Sequence, residues 1–203
     1  VRGTKLFIAT RGCPYQCTYC FNHAYNALTK GTGEMIRTRS VDSLIQEIKE
    51  VQKNYFMDRV NIDDDIFLLK PKGWLEEFAE KYPKEIGLPL YCNIRPELVN
   101  EKTGYLLKKI GCLRAAMGIE CGNNEVARKV LKRNTTNEKI VDAVRILKKN
   151  NVKIKIHNII GLPVKDPLKV DFETLDFNIK LKPHVAGCSI LYPYPGTEVS
   201  HLA

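Results

Sequence analysis

The stretch Val152-Lys153-Ile154-Lys155-Ile156-His157-Asn158-Ile159-Ile160 decides what kind of sheet this chain builds. Successive side chains of a strand point to opposite faces, so Val152, Ile154 and Ile156 share one side and Lys153, Lys155 and His157 the other. Two upstream stretches repeat the division. Leu113, Ala115, Met117 and Ile119 oppose Arg114, Gly118 and Glu120, and Leu88, Leu90 and Cys92 oppose Tyr91, Asn93 and Arg95.

Strand and helix signals alternate through the rest of the chain. Residues 5–10, 57–62 and 185–191 read as further strands. Ser40 caps a helix whose Val41, Leu44, Ile45, Ile48 and Val51 form one stripe. A second helix, from about Pro71, turns Trp74, Leu75, Phe78 and Ala79 inward and ends before Pro83. Asn100 opens a third, with Leu106, Leu107 and Ile110 inward and Gly111 as its stop. Residues 125–132 and 136–149 read as helical, with Thr135 and Glu138 at capping-box spacing. Asp166-Pro167 opens the last helix, with Leu168, Phe172, Leu175 and Ile179 in register. This alternation demands a parallel sheet with right-handed crossovers. A doubly wound sheet buries both faces and should read apolar on both. One apolar and one polar face instead point to an α/β fold of partial-barrel type, six parallel strands around a polar lumen. Tyr91, Asn93, Arg95, Lys153, Lys155 and His157 would line that lumen and suit a polar or anionic ligand.

Just after the first strand comes Arg11-Gly12-Cys13-Pro14-Tyr15-Gln16-Cys17-Thr18-Tyr19-Cys20-Phe21-Asn22. Ligands of α/β folds gather at the C-terminal ends of strands. Three soft thiolates there suit an iron-sulfur cluster or zinc. Three cysteines leave one iron of a four-iron cluster open, whereas zinc would need a fourth ligand such as His23. Cys92, Cys112, Cys121 and Cys188 are scattered and read as small buried hydrophobes, with Cys121 near the barrel mouth the one to watch.

With 203 residues, 44% of them hydrophobic, the chain can bury the core of one domain. It begins at Val1 without Met and reads as a fragment, residues 1–203 being one core domain. No apolar run is long enough to span a membrane and no signal-peptide pattern is seen. Seven cysteines, three of them tightly clustered, fit a reducing, cytoplasmic setting. The formal charge of +9 is spread over helix faces, a solvated surface rather than a nucleic-acid footprint.

Cys13-x3-Cys17-x2-Cys20, with Tyr19 before the last cysteine, resembles the signature of the radical S-adenosylmethionine (radical SAM) enzymes. The resemblance runs on through Arg37-Thr38-Arg39-Ser40, Asp64-Asp65-Ile66-Phe67, Cys92-Asn93-Ile94-Arg95-Pro96, Gly118-Ile119-Glu120-Cys121-Gly122, Gly161-Leu162-Pro163 and Pro193-Tyr194-Pro195-Gly196-Thr197. It implies a partial (β/α)6 TIM-like barrel in which Cys13, Cys17 and Cys20 hold a [4Fe-4S] cluster. The amino and carboxylate groups of S-adenosylmethionine would chelate the open iron. An electron would then break the bond from sulfur to C5′, and the 5′-deoxyadenosyl radical would abstract a substrate hydrogen. A reductant such as flavodoxin or ferredoxin is implied.

The resemblance also implies cofactor contacts. Asp64 and Asp65 stand where the family has a turn contacting the methionine amino group. Strand alternation puts Asp63 and Asp65 on the lumen side, so Asp65 satisfies both criteria; a solvated acidic turn is the plainer account. Glu120 would meet the ribose or methionine carboxylate, or else pair with Arg95 or Lys155. Ile160 and Gly161 would lie against adenine, and Gly161 also suits a simple strand end. His157 is a substrate contact or a structural histidine. The motif set looks most like members with a cobalamin-binding domain before the barrel, among them methyltransferases and cyclases. Rival readings are a methylthiotransferase or other RNA-modifying member, and a non-catalytic iron-sulfur or zinc module.

Overall fold

Residues 3–202 are described by a computed structural model. Its main sheet has six strands, all parallel, in the order β1 (Thr4–Phe7), β4 (Arg59–Ile62), β5 (Leu90–Ile94), β6 (Cys112–Glu120), β7 (Lys153–Ile160) and β8 (Val185–Ile190). A two-stranded antiparallel ribbon, β2 (Thr10–Arg11) and β3 (Arg37–Thr38), stands beside it. Helices fill the crossovers: α2 (Val41–Asn54), α3 (Trp74–Glu85), α4 (Glu101–Ile110), α6 (Asn137–Lys149) and α7 (Pro167–Leu181). Two shorter helices, α1 (Asn22–Leu28) and α5 (Asn124–Lys129), and two 3-10 turns, η1 (Pro96–Leu98) and η2 (Glu198–His201), lie in the connections.

The core lies between the helices and the apolar face of the sheet. Val60, Ile62, Leu90, Cys92, Ala115, Met117, Ile154 and Ile156 are buried there against Leu44, Ile48, Phe78, Leu107, Ile110 and Leu147. Phe78 stacks on Trp74 with ring centroids 5.0 Å apart. Cys92 and Cys112 belong to this layer, sulfurs 3.8 Å apart. The opposite, concave face keeps Tyr91, Asn93, Arg114, Lys155 and His157 only half-buried. That division is what the alternation in residues 88–94, 115–119 and 152–157 predicted; Leu113, expected on the apolar face, is exposed, because the register slips between Leu90 and Tyr91 and Cys112 takes the buried position.

Five local expectations need correction. The first strand stops at Phe7 because Asp64 takes the N–H groups of Ala9 (2.7 Å) and Thr10 (2.9 Å), peeling the chain from β4 into the ribbon. Pro83 sits inside the last turn of α3 rather than beyond it. Thr136, not Thr135, caps α6, accepting from the Lys139 N–H.

The fourth concerns α7, whose apolar stripe faces outward, with Leu168 64% and Phe172 57% exposed. Its buried face is Val170, Thr174, Phe177, Asn178 and Leu181. Thr174 accepts from the Gly122 N–H at 2.9 Å, and the Asn178 amide donates to Asn158 Oδ1 at 2.9 Å. Paired polar groups therefore set the helix rotation, which a purely apolar period could not show. Cys188 is exposed, unlike Cys92, Cys112 and Cys121.

Candidate active site

The cysteine loop leaves β2 at the C-terminal end of the sheet and is tied down on several sides. Gly12 has φ +99°, and a Cβ there would lie 1.9 Å from the Met35 carbonyl oxygen, so only glycine admits this path beside the ribbon. The Asn26 amide donates to the Cys13 carbonyl at 2.8 Å. Thr18 donates through its N–H to the Leu131 carbonyl (3.2 Å) and through its hydroxyl to the Val130 carbonyl (2.6 Å). The Val199 N–H donates back to the Thr18 carbonyl at 3.0 Å, bringing the Pro193–Thr197 neighbourhood onto the loop.

Held this way, Cys13, Cys17 and Cys20 open onto one cavity of about 230 Å³. Asp65, Arg95, Glu120, Arg133 and His157 also line it. Among the described residues, no three His, Cys, Asp or Glu side chains converge closely enough to hold a single ion. The three thiols share the lining of this cavity, and His23 is not part of it. Three thiolate donors with no fourth Cys in the lining fit a cluster with one open iron better than structural zinc, which takes four ligands.

Burial, the largest influence, raises the thiol pKa values of Cys13 and Cys20, so ligation by their thiolates must displace protons. The buried Arg95 guanidinium donates to Cys17 Sγ at 3.4 Å and to Glu97 Oε1 at 2.6 Å. It lies 3.7 Å from the Tyr15 ring centroid. A fixed cation beside the sulfurs offsets the negative charge that ligating thiolates carry.

Glu120 ends β6 with φ 64°, a left-handed conformation that costs a non-glycine residue about 1–2 kcal/mol. The strand register slips between Gly118 and Glu120. A Cβ on Gly118 would lie 2.1 Å from Glu120 Oε1, so the carboxylate folds back over the glycine. Oε1 accepts from the Tyr19 hydroxyl at 3.1 Å, and Arg133 Nη1 lies 3.6 Å from it. Arg133 also donates to the Tyr19 oxygen at 2.9 Å and to the Gly118 carbonyl. Burial raises the pKa of Glu120, with Arg133 and the Tyr19 hydrogen bond opposing. Its ionic partner is thus Arg133, not Arg95 or Lys155.

Residues 7–170 match the family model described as the radical SAM superfamily. The chain belongs to that superfamily. Its six parallel strands form the partial barrel of such proteins. An uncharacterized methyltransferase of Pyrococcus horikoshii is 27% identical over 192 residues, 95% of this chain and 40% of that protein. A provisionally named methylthiotransferase of Methanocaldococcus jannaschii is 26% identical, across 100% of this chain and 45% of that protein. The radical S-adenosylmethionine methyltransferase TsrM of Kitasatospora setae superposes with TM-score 0.79 at 19% identity, covering 98% of this chain and 38% of that one. TsrM has also been solved with cobalamin and a [4Fe-4S] cluster bound. The chain spans less than half the length of these relatives.

Among the contacts implied for a radical SAM enzyme, Tyr19, Asp65 and Glu120 reach the cavity with the three cysteines. Asp64 does not. It continues the buried parity of Val60 and Ile62, and its carboxylate accepts from Ala9 and Thr10 N–H and from Lys70, whose side chain is buried with it. Adjacent Asp65 accepts from the Asn22 amide at 2.9 Å. Ile160 and Gly161 end β7 outside the cavity lining, the Gly161 N–H donating to Asp171 at 3.1 Å. Cys121 is buried in a satellite cluster with Ala127, Leu131 and Leu162. Sequence reasoning missed Tyr15 and Arg133. Arg133 stands in the connection between α5 and α6, where no hydrophobic period marks a direction.

Proposed function

We propose that this chain is the radical-generating core of a longer enzyme, most like cobalamin-dependent members of the superfamily that transfer methyl groups or close rings. The observation that carries the reading is the convergence of three thiols, Arg95, Glu120 and His157 on one cavity at the C-terminal end of six parallel strands. Cys13, Cys17 and Cys20 would hold a [4Fe-4S] cluster, which would offer an open position to the amino and carboxylate groups of S-adenosylmethionine and supply the electron for its reductive cleavage.

The chain's own residues do the positioning. Asp65 is the carboxylate available to accept from the methionine ammonium. Tyr19, Glu120 and Arg133 form a locked unit at the cavity wall, presenting Glu120 to the ribose. Arg95 balances charge at Cys17. The backbone at Ile160 and Gly161 is the candidate adenine rest. Burial, then Lys155 and Arg114, lower the pKa of His157, which favours a neutral imidazole facing the cavity.

Cobalamin would be bound by a domain outside these residues, and a flavodoxin or ferredoxin would deliver the electron. Seven free cysteines favour the cytoplasm, and no helix of the described residues is long and apolar enough to cross a membrane. A second reading, methylthio transfer, is favoured by the Methanocaldococcus relative's name.

Anaerobic reconstitution with iron and sulfide tests the core reading. The expected product is a brown protein with about four irons, whose reduced paramagnetic signal changes on adding S-adenosylmethionine and which forms 5′-deoxyadenosine. Cys17→Ala should abolish all three. A colourless protein holding one zinc would overturn the proposal.

A further inference from the structure

The concave face carries more positive charge than the cysteine end uses. Arg114 and Lys153 pair across β6 and β7, and Lys155 pairs with Ala116 one row nearer the cavity. The Arg114 guanidinium lies 4.2 Å from the Tyr91 ring centroid. Among the described residues, none of Arg114, Lys153 and Lys155 has a carboxylate within 4.0 Å. Glu97 and Glu120 are paired with Arg95 and Arg133, while Asp63 and Asp65 follow the C-terminal end of β4, at the cysteine end, where they accept from the Asn93 and Asn22 amides. Ala116 and Gly118 on β6 and Gly187 on β8 leave space above these cations, beside Asn93 and His157, and the cavity lining reaches down to Ala116, the row of Lys155. Half-buried like charges without counter-ions repel one another, and an anion relieves that repulsion.

We propose that Arg114 and Lys155 bind the anionic group, phosphate or carboxylate, of a small organic substrate whose reacting carbon lies at the cysteine cavity. The inference rests on the proposed function and names the substrate class for that site. Gly118 lines the cavity. At about 3.3 Å per residue, the rows of Lys155 and Arg114 lie about 7 and 13 Å below it, a span suited to a small metabolite. The carboxylate of S-adenosylmethionine would sit at the cysteine end, rows away from this pair. The Tyr91 face holds one side of the guanidinium and leaves its N–H edge free for two oxygens, so the arginine is preorganised.

Calorimetry on the reconstituted chain at low ionic strength, with inorganic pyrophosphate and with succinate as probes, tests this. Preference between the two separates a phosphate from a carboxylate substrate. Arg114→Gln and Lys155→Gln should each weaken the preferred probe roughly tenfold, while Arg114→Lys keeps part of the affinity and Lys84→Gln, on the exposed face of α3, keeps all of it. The cluster signal and its response to S-adenosylmethionine should be the same in every variant. A wild-type chain that binds neither probe, or equal binding by all variants, overturns the inference even if that signal is present. Loss of the signal in the wild type sinks the proposed function instead, and is read separately from anion binding.

Discussion

The two faces of the main sheet are built from the same strands and serve opposite ends. The helix-covered face is dry and closed, with Val60, Cys92, Ala115, Met117 and Ile156 buried among helix residues. The concave face carries Tyr91, Arg114, Lys155 and His157, with Arg95 above them at the cavity, and is open enough to admit a ligand. The difference teaches that one residue step along a strand separates a residue whose loss costs stability from one whose loss costs function. Asp64 and Asp65 make the point at closest range. The first lies under the β1 to β2 turn with a buried Lys70, and the second lines the cysteine cavity.

The largest test of this contrast is Asp64→Ala. Removing the carboxylate strands the buried Lys70 ammonium and two backbone N–H groups, and breaking a buried pair typically costs about 3–5 kcal/mol. Chemical denaturation should show that loss, whereas Asp65→Asn should leave stability nearly unchanged and weaken S-adenosylmethionine binding. A stable Asp64→Ala chain would break the comparison. Next comes Met117→Ala on the closed face, where a core cavity costs about 2–5 kcal/mol and lowers the melting temperature; the concave-face substitution Lys155→Gln should not lower it.

A smaller effect is expected from His157. Because its pKa is lowered in the folded state, the unfolded chain takes up the proton first as pH falls through about 6.5. Stability should therefore drop on acidification below that point, and the drop should be smaller in His157→Gln when urea midpoints are compared at pH 8 and pH 5. The smallest effect belongs to Phe172→Ala on the outward stripe of α7, within about 0.5 kcal/mol. A large loss there would mean that the stripe is covered in solution.

Much of this was legible along the chain because it is periodic or local. Alternation in residues 152–157 separates the two faces from the sequence alone, since the period of a strand is two whatever it packs against. The spacing of Cys13, Cys17 and Cys20 places three donors on one loop, and alternation sets Asp63 and Asp65 apart from Asp64, whereas the motif resemblance groups Asp64 with Asp65. What needed the tertiary structure was every partnership across long separations. Arg133 reaches Tyr19 and Glu120 from a connection without pattern. The register slip that turns Glu120 into the site arises between neighbouring strands. The rotation of α7 follows from Thr174 and Asn178 pairing with Gly122 and Asn158. A period reports which residues share a face, but which polar groups satisfy one another is decided only when distant segments meet, because an unpaired buried polar group is too costly to leave alone.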